Sequence, residues 1–212
     1  MAPLPPGPGR LDADAAFFNI RVGPWRRFAR SAASGATLSC MDAPDKPPEI
    51  ALLRRLRAVR QFTADPLPDH VVRDLLEVAR WSGSASNRQP WEMILVSNRD
   101  TLRRLAGAEG YAAHVAGAAL AIVLVMSGDR PEQDTFDEGR LSERLMLAAL
   151  AHGVGSCIGW FKGSGRDEVK QLLGIPAGRL VRTVISFGYA TEAAARRGRR
   201  RKPMADMVHR GP

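Results

Sequence analysis

Three places in this chain carry side chains suited to chemistry. Arg57 and Arg60 stand at the end of a short apolar-periodic segment, and Arg196, Arg197, Arg199, Arg200, Arg201 and Lys202 form a near-continuous basic run close to the C-terminus. Guanidinium forks hold a phosphate through charge-assisted, bidentate hydrogen bonds, so either cluster suits an anion. A basic run of this kind also fits a solvated tail or a nucleic-acid contact. It lacks the interleaved aromatics of single-strand binders and any binding-module motif, which argues against nucleic acid. The third place is the stretch Trp-Ser-Gly-Ser-Ala-Ser-Asn-Arg-Gln-Pro-Trp at 81–91. Its small residues and Asn87 take tight backbone angles and offer N–H and hydroxyl groups at close range, as a ligand loop needs and as an ordinary connection also allows.

Other chemistries find little support. His70, His114, His152 and His209 are scattered, without metal-ligand spacing, and each reads as a satisfied or surface histidine. No Ser-His-Asp, paired-carboxylate or phosphate-loop pattern is present. Cys40 and Cys157 have no metal or disulfide spacing, which points to a reducing compartment and predicts a cytoplasmic protein. No apolar run reaches the length of a membrane span, and the first ten residues, rich in Pro and Gly, lack the apolar core of a secretory signal. The net charge of +9 is largely that of the C-terminal run.

The elements that must position these residues follow from periodicity. Residues 1–48 show no sustained period and read as an irregular extension, with a small docking element around Phe17, Phe18, Ile20 and Trp25. Residues 49–212 form the folded domain with its basic tail, and Met41 stands as an alternative start. Ile50, Leu53 and Leu56 predict a short helix over 49–57, and Val71, Val72, Leu75, Leu76 and Ala79 predict another over 68–81 that delivers the polar loop. Pro90 then turns the chain into a strand over 91–96. Helices are predicted at 100–108 and 111–118, a buried strand at 120–126 and a long helix at 135–152. Residues 145–151 are apolar on every face, so burial all round is expected, with a second subunit as the cover. A strand through Trp160, a helix at 166–173 and a last core strand at 181–189 complete the domain.

Leu-Arg-Ala-Val-Arg-Gln-Phe at 56–62, followed by Ser-Ala-Ser-Asn-Arg-Gln-Pro-Trp at 84–91, resembles the nitroreductase family of FMN-dependent oxidoreductases. That family opens with Arg-Ser-x-Arg-x-Phe and continues with Pro-Ser-x-x-Asn-x-Gln-Pro-Trp. Arg57, Arg60 and Phe62 match the first motif, and Ser84, Asn87, Gln89, Pro90 and Trp91 the second. Ala58 replaces the usual Ser and Gly83 the usual Pro. The similarity runs from about Glu49 to His209.

The resemblance implies an α+β fold, a three-layer α/β/α sandwich with a mixed, mostly antiparallel sheet, assembled as a homodimer with active sites at the subunit interface. It implies FMN as cofactor and NAD(P)H as co-substrate, with electrons passing in a ping-pong scheme through flavin N5 to a small oxidised acceptor such as a nitroaromatic or quinone. Flavin-cleaving and dehalogenating relatives share that FMN site and form the alternative. By the same resemblance, Arg57 and one or both of Arg199 and Arg201 meet the phosphate, and Arg60 sits by N1 and O2 of the ring system, where positive charge tunes the cofactor. Ala58, Gly83, Ser84, Ser86, Asn87 and Gln89 frame the rest of the flavin, and backbone around Ile158, Gly159 and Trp160 approaches N5. No catalytic acid or base and no metal ligand is implied.

Overall fold

The computed structural model describes residues 47–195 and 200–211, so the predicted 17–25 docking element, Met41 and Arg199 lie outside the described residues. The central layer is a four-stranded sheet in the order β1-β2-β4-β3, with β1 Trp91–Val96, β2 Leu120–Met126, β3 Gly155–Trp160 and β4 Leu180–Gly188. All three ladders are antiparallel, where a mixed sheet is expected, and among the described residues parallel pairing is confined to the isolated bridge of Ala58 with Ser156.

The buried β2 feeds both faces of the sheet. Ala121, Val123 and Val125 point into one apolar cluster with Leu102, Leu105, Val115, Phe161 and Val169. Leu120, Ile122 and Leu124 point into the opposite one with Val71, Leu75, Leu141, Leu145 and Met146. This alternation makes the three layers. The first face is covered by α3 (Arg99–Gly107), a 3-10 turn Ala113–Gly117 and α5 (Gly165–Leu173). The second is covered by α2 (Asp69–Arg80) and α4 (Pro131–Ala151). Each fully buried Leu or Ile on these faces contributes roughly 1.5–3 kcal/mol relative to exposure. β4 carries one extra residue where Val123 pairs Val184 but Val125 pairs Val181. The slip turns odd positions from one face to the other, so Val181 lies in the first cluster and Ile185 and Phe187 in the second.

Several predicted elements shift. α1 spans Pro48–Arg55, ending before Arg57 because Leu56 turns extended (ψ 126°) and Ala58 is drawn into its bridge with β3. The helix expected at 111–118 is the short 3-10 turn. α4 starts earlier than 135, at Pro131, whose fixed φ suits the first helical position. Burial of 145–151 on all sides does not hold within one chain: Leu145, Met146 and Ala149 are buried, Leu147, Ala148 and Leu150 are half-buried, and Ala151 is exposed. Among the described residues no helix is long and apolar enough to cross a membrane.

Candidate functional site

The segment after α1 runs extended along β3, with Val59 N–H donating to Ser156 O at 2.8 Å. It forms one wall of a cleft of about 780 Å³ lined by Leu56, Arg57, Ala58, Arg60, Gln61, Ala113, His114, Ala194 and Arg201. The chain returns to this cleft through α6 (Glu192–Ala195) and the C-terminal segment, which places Arg201 among the lining residues. Arg57 is anchored: its Nη1 donates to Arg54 O and Leu56 O, both at 2.7 Å. Three arginines, the residue type suited to an anion, thus line one cleft of ligand size.

His114, expected to be a satisfied or surface histidine, belongs to this cleft. Its Nδ1 lies 2.8 Å from Ser186 Oγ, while Nε2 is buried without a hydrogen-bond partner. Burial first, and then the charge of Arg60, hold its pKa below the ordinary value. A lone His within a Gly/Ala-rich stretch gives no signal of this in sequence. His152, by contrast, pairs with Asp74 at 3.0 Å, and His209 is exposed.

Ile158, Gly159 and Trp160 lie on β3 and do not line the cleft, although a side chain at 159 would come within 3.3 Å of His114 Nε2. Cys157, buried behind them, has its thiol pKa pushed up by that burial.

The polar loop is built as expected but stands apart. Residues 85–87 form a 3-10 turn between α2 and β1, with Ser86, Asn87 and Gln89 in left-handed backbone (φ 52°, 54° and 49°). Such a conformation costs non-glycine residues roughly 1–2 kcal/mol each, so the surroundings must enforce it. Ser84 Oγ accepts the Gln89 N–H at 2.8 Å, so this hydroxyl closes the turn. Gln89 Nε2 donates to Asn87 Oδ1 at 3.3 Å. Gly83, Ser84, Ser86, Asn87 and Gln89 are absent from the arginine cleft; Gln89 lines a smaller hollow of about 460 Å³ with Arg88, Trp91, Asp129 and Arg179. Within one chain the two motifs therefore do not form one site.

Three acids that carry no motif in sequence lie on the inner side of α4, and the first two of them contact the loop. Asp134, Asp137 and Glu138 of α4 are buried. Asp134 meets Arg88 at 3.3 Å, and Glu138 meets Arg182 at 2.8 Å. Burial is the dominant influence on Glu138 and raises its pKa, with Arg182 opposing.

A family model described as the nitroreductase family matches residues 53–138. An Archaeoglobus fulgidus protein whose name couples NADH dehydrogenase with NAD(P)H nitroreductase is 30% identical over 141 residues, covering 63% of this chain and 80% of that one. The NADH dehydrogenase of Thermus thermophilus is 29% identical over 194 residues, covering 74% and 91%. The solved structure of the FMN-dependent nitroreductase NfnB from Mycobacterium smegmatis in complex with NADPH superposes with a TM-score of 0.67 at 25% identity, over 77% of this chain and 98% of that one.

Proposed function

Because this chain belongs to the nitroreductase family, we propose that it is an FMN-dependent NAD(P)H oxidoreductase. The observation that carries this reading is the convergence of Arg57, Arg60 and Arg201 on one cleft. The cleft's volume is in the range of cofactor pockets, and its charge fits the near-dianionic phosphate of FMN. Arg57 and Arg201 hold that phosphate, and Arg60 places positive charge beside the pyrimidine end. His114, its pKa held down by burial and its Nε2 without a hydrogen-bond partner, adds a polar ring edge on the same wall. Backbone at 158–160 borders the cofactor on the β3 side. When bound, FMN supplies the redox chemistry, taking hydride from NAD(P)H and passing electrons to a small oxidised acceptor such as a nitroaromatic or quinone. The two substrates use the cleft in turn.

The working unit is a homodimer in which the 83–89 loop of one protomer completes the arginine cleft of the other. Its support is the separation of the two motifs within one chain, together with apolar surface left uncovered there: Met204, Met207 and Val208 in the C-terminal segment, and the half-buried Leu147 and Leu150 of α4. Two cysteines without a pairing pattern support the cytoplasm as its compartment.

An absorbance spectrum tests the reading. The purified protein is expected to be yellow, to release FMN on denaturation, and to oxidise NADH or NADPH when a quinone or nitroaromatic is added. A colourless protein that also fails to bind added FMN overturns it.

A further inference from the structure

We propose that Asp137 is a positioning residue: with Asp134 and Arg140 it clamps the 83–89 loop in its ligand-holding shape without touching the ligand. This rests on the reading that the loop serves a flavin. The three residues recur every third position of α4 and meet the loop at three points. Asp137 Oδ2 accepts the Ala85 N–H at 3.2 Å across a sequence separation of 52 residues. Asp134 Oδ1 lies 3.3 Å from the Arg88 guanidinium, while its other oxygen accepts from Ser127 Oγ at 3.0 Å and Gly128 N–H at 2.9 Å. Arg140 approaches Asp137 Oδ1 at 3.7 Å and lies flat against Gly83, where an added Cβ would overlap Nη2 and stand 3.2 Å from Cζ.

Both carboxylates are essentially inaccessible, Asp134 at 0% and Asp137 at 1% exposure. Buried carboxylates are costly unless they are paired and hydrogen-bonded; Asp137 finds the loop's Ala85 N–H, and Asp134 finds Arg88 of the loop together with Ser127 and Gly128 of a neighbouring turn. Between the two grips lie left-handed Ser86 and Asn87, with Gln89 just beyond, a backbone the residues would not hold unaided. The arrangement also accounts for Gly83 where the family motif has Pro. Its φ lies outside the left-handed region, so the missing side chain serves the Arg140 guanidinium and not the backbone.

The test is hydrogen exchange of ligand-free protein, followed by FMN titration of the same samples, for Asp137→Ala, Asp137→Asn and the exposed control Asp100→Asn. In Asp137→Ala, exchange across 84–89 is expected to rise about tenfold or more while β2 stays protected, since opening is local. FMN affinity is expected to fall about tenfold, because only the fraction of loops in the competent shape binds. Asp137→Asn keeps an oxygen for the Ala85 N–H and recovers part of both; Asp100→Asn changes neither.

Unchanged loop exchange in Asp137→Ala overturns the clamp, and a loosened loop with unaltered FMN affinity overturns its role in binding. If Asp137→Ala loses protection in β2 as well, Asp137→Asn decides: selective loosening of the loop supports the clamp, and uniform loosening overturns it. If the unaltered chain binds no FMN, the functional reading falls, and the clamp stands or falls on the exchange data alone.

Discussion

Ser186 Oγ lies 2.8 Å from His114 Nδ1 and 3.3 Å from the carbonyl oxygen of Cys157. A Ser186 hydroxyl that gives its one proton to that carbonyl accepts from Nδ1–H, whereas one that gives it to Nδ1 leaves the ring proton on Nε2. In the first arrangement the neutral ring carries its lone pair on Nε2, beside Gly159. Nitrogen chemical shifts of His114 are expected to report a neutral Nδ1–H tautomer at neutral pH.

The same group predicts a pH dependence. Burial and Arg60 depress the folded-state pKa of His114 below the ordinary 6.5. Between those two values the unfolded chain binds a proton that the folded chain refuses, so this contribution to stability is complete above the ordinary value and is lost as pH falls through the window. His114→Gln removes the term. Comparing urea midpoints of the two proteins at about pH 7.5 and about pH 5.5 is expected to show a smaller acid-induced drop for the variant. An identical drop would show that His114 does not titrate differently on folding.

Arg57 and Arg201 predict a selective loss of flavin binding. Each charge-assisted hydrogen bond to the phosphate contributes on the order of 1.5–3 kcal/mol, so Arg57→Ala or Arg201→Ala should weaken FMN binding roughly tenfold to over a hundredfold. Arg103 sits exposed in an ion pair with Asp100, and Arg103→Ala should leave FMN affinity unchanged. Fluorescence titration of apo-protein separates the cases. Wild-type affinity in Arg201→Ala would remove that residue from the phosphate site.

The dimeric site predicts complementation. Arg201→Ala spoils the cleft and Asn87→Leu spoils the loop, each in every homodimer. After subunit exchange, half of the dimers are mixed and hold one site with both parts intact, so about a quarter of the unaltered flavin sites should return. Failure of the mixture to recover, with exchange verified by mass, would mean that cleft and loop do not meet across an interface.

Much of this molecule can be read before it folds. The continuous apolar run at 120–126 is β2 to the residue, because a strand covered on both faces must be apolar at every position. Pro90 and the β-formers after it locate β1 equally well. The two polar motifs announce themselves by residue type, since phosphate chemistry needs Arg and a tight turn needs small residues and Asn.

The spatial grouping of those residues was decided by tertiary structure. Pairing of Ala58 with Ser156 cut α1 short and set Arg57 and Arg60 along β3, where the C-terminal segment brings Arg201 and the 3-10 turn brings His114. The loop remained on another part of the chain's surface, held from beneath by acids that sequence would assign to a solvated helix face. Periodicity shows which positions share a face of one element. It cannot show which other element covers that face, and on that covering depends whether Asp137 meets water or the Ala85 amide.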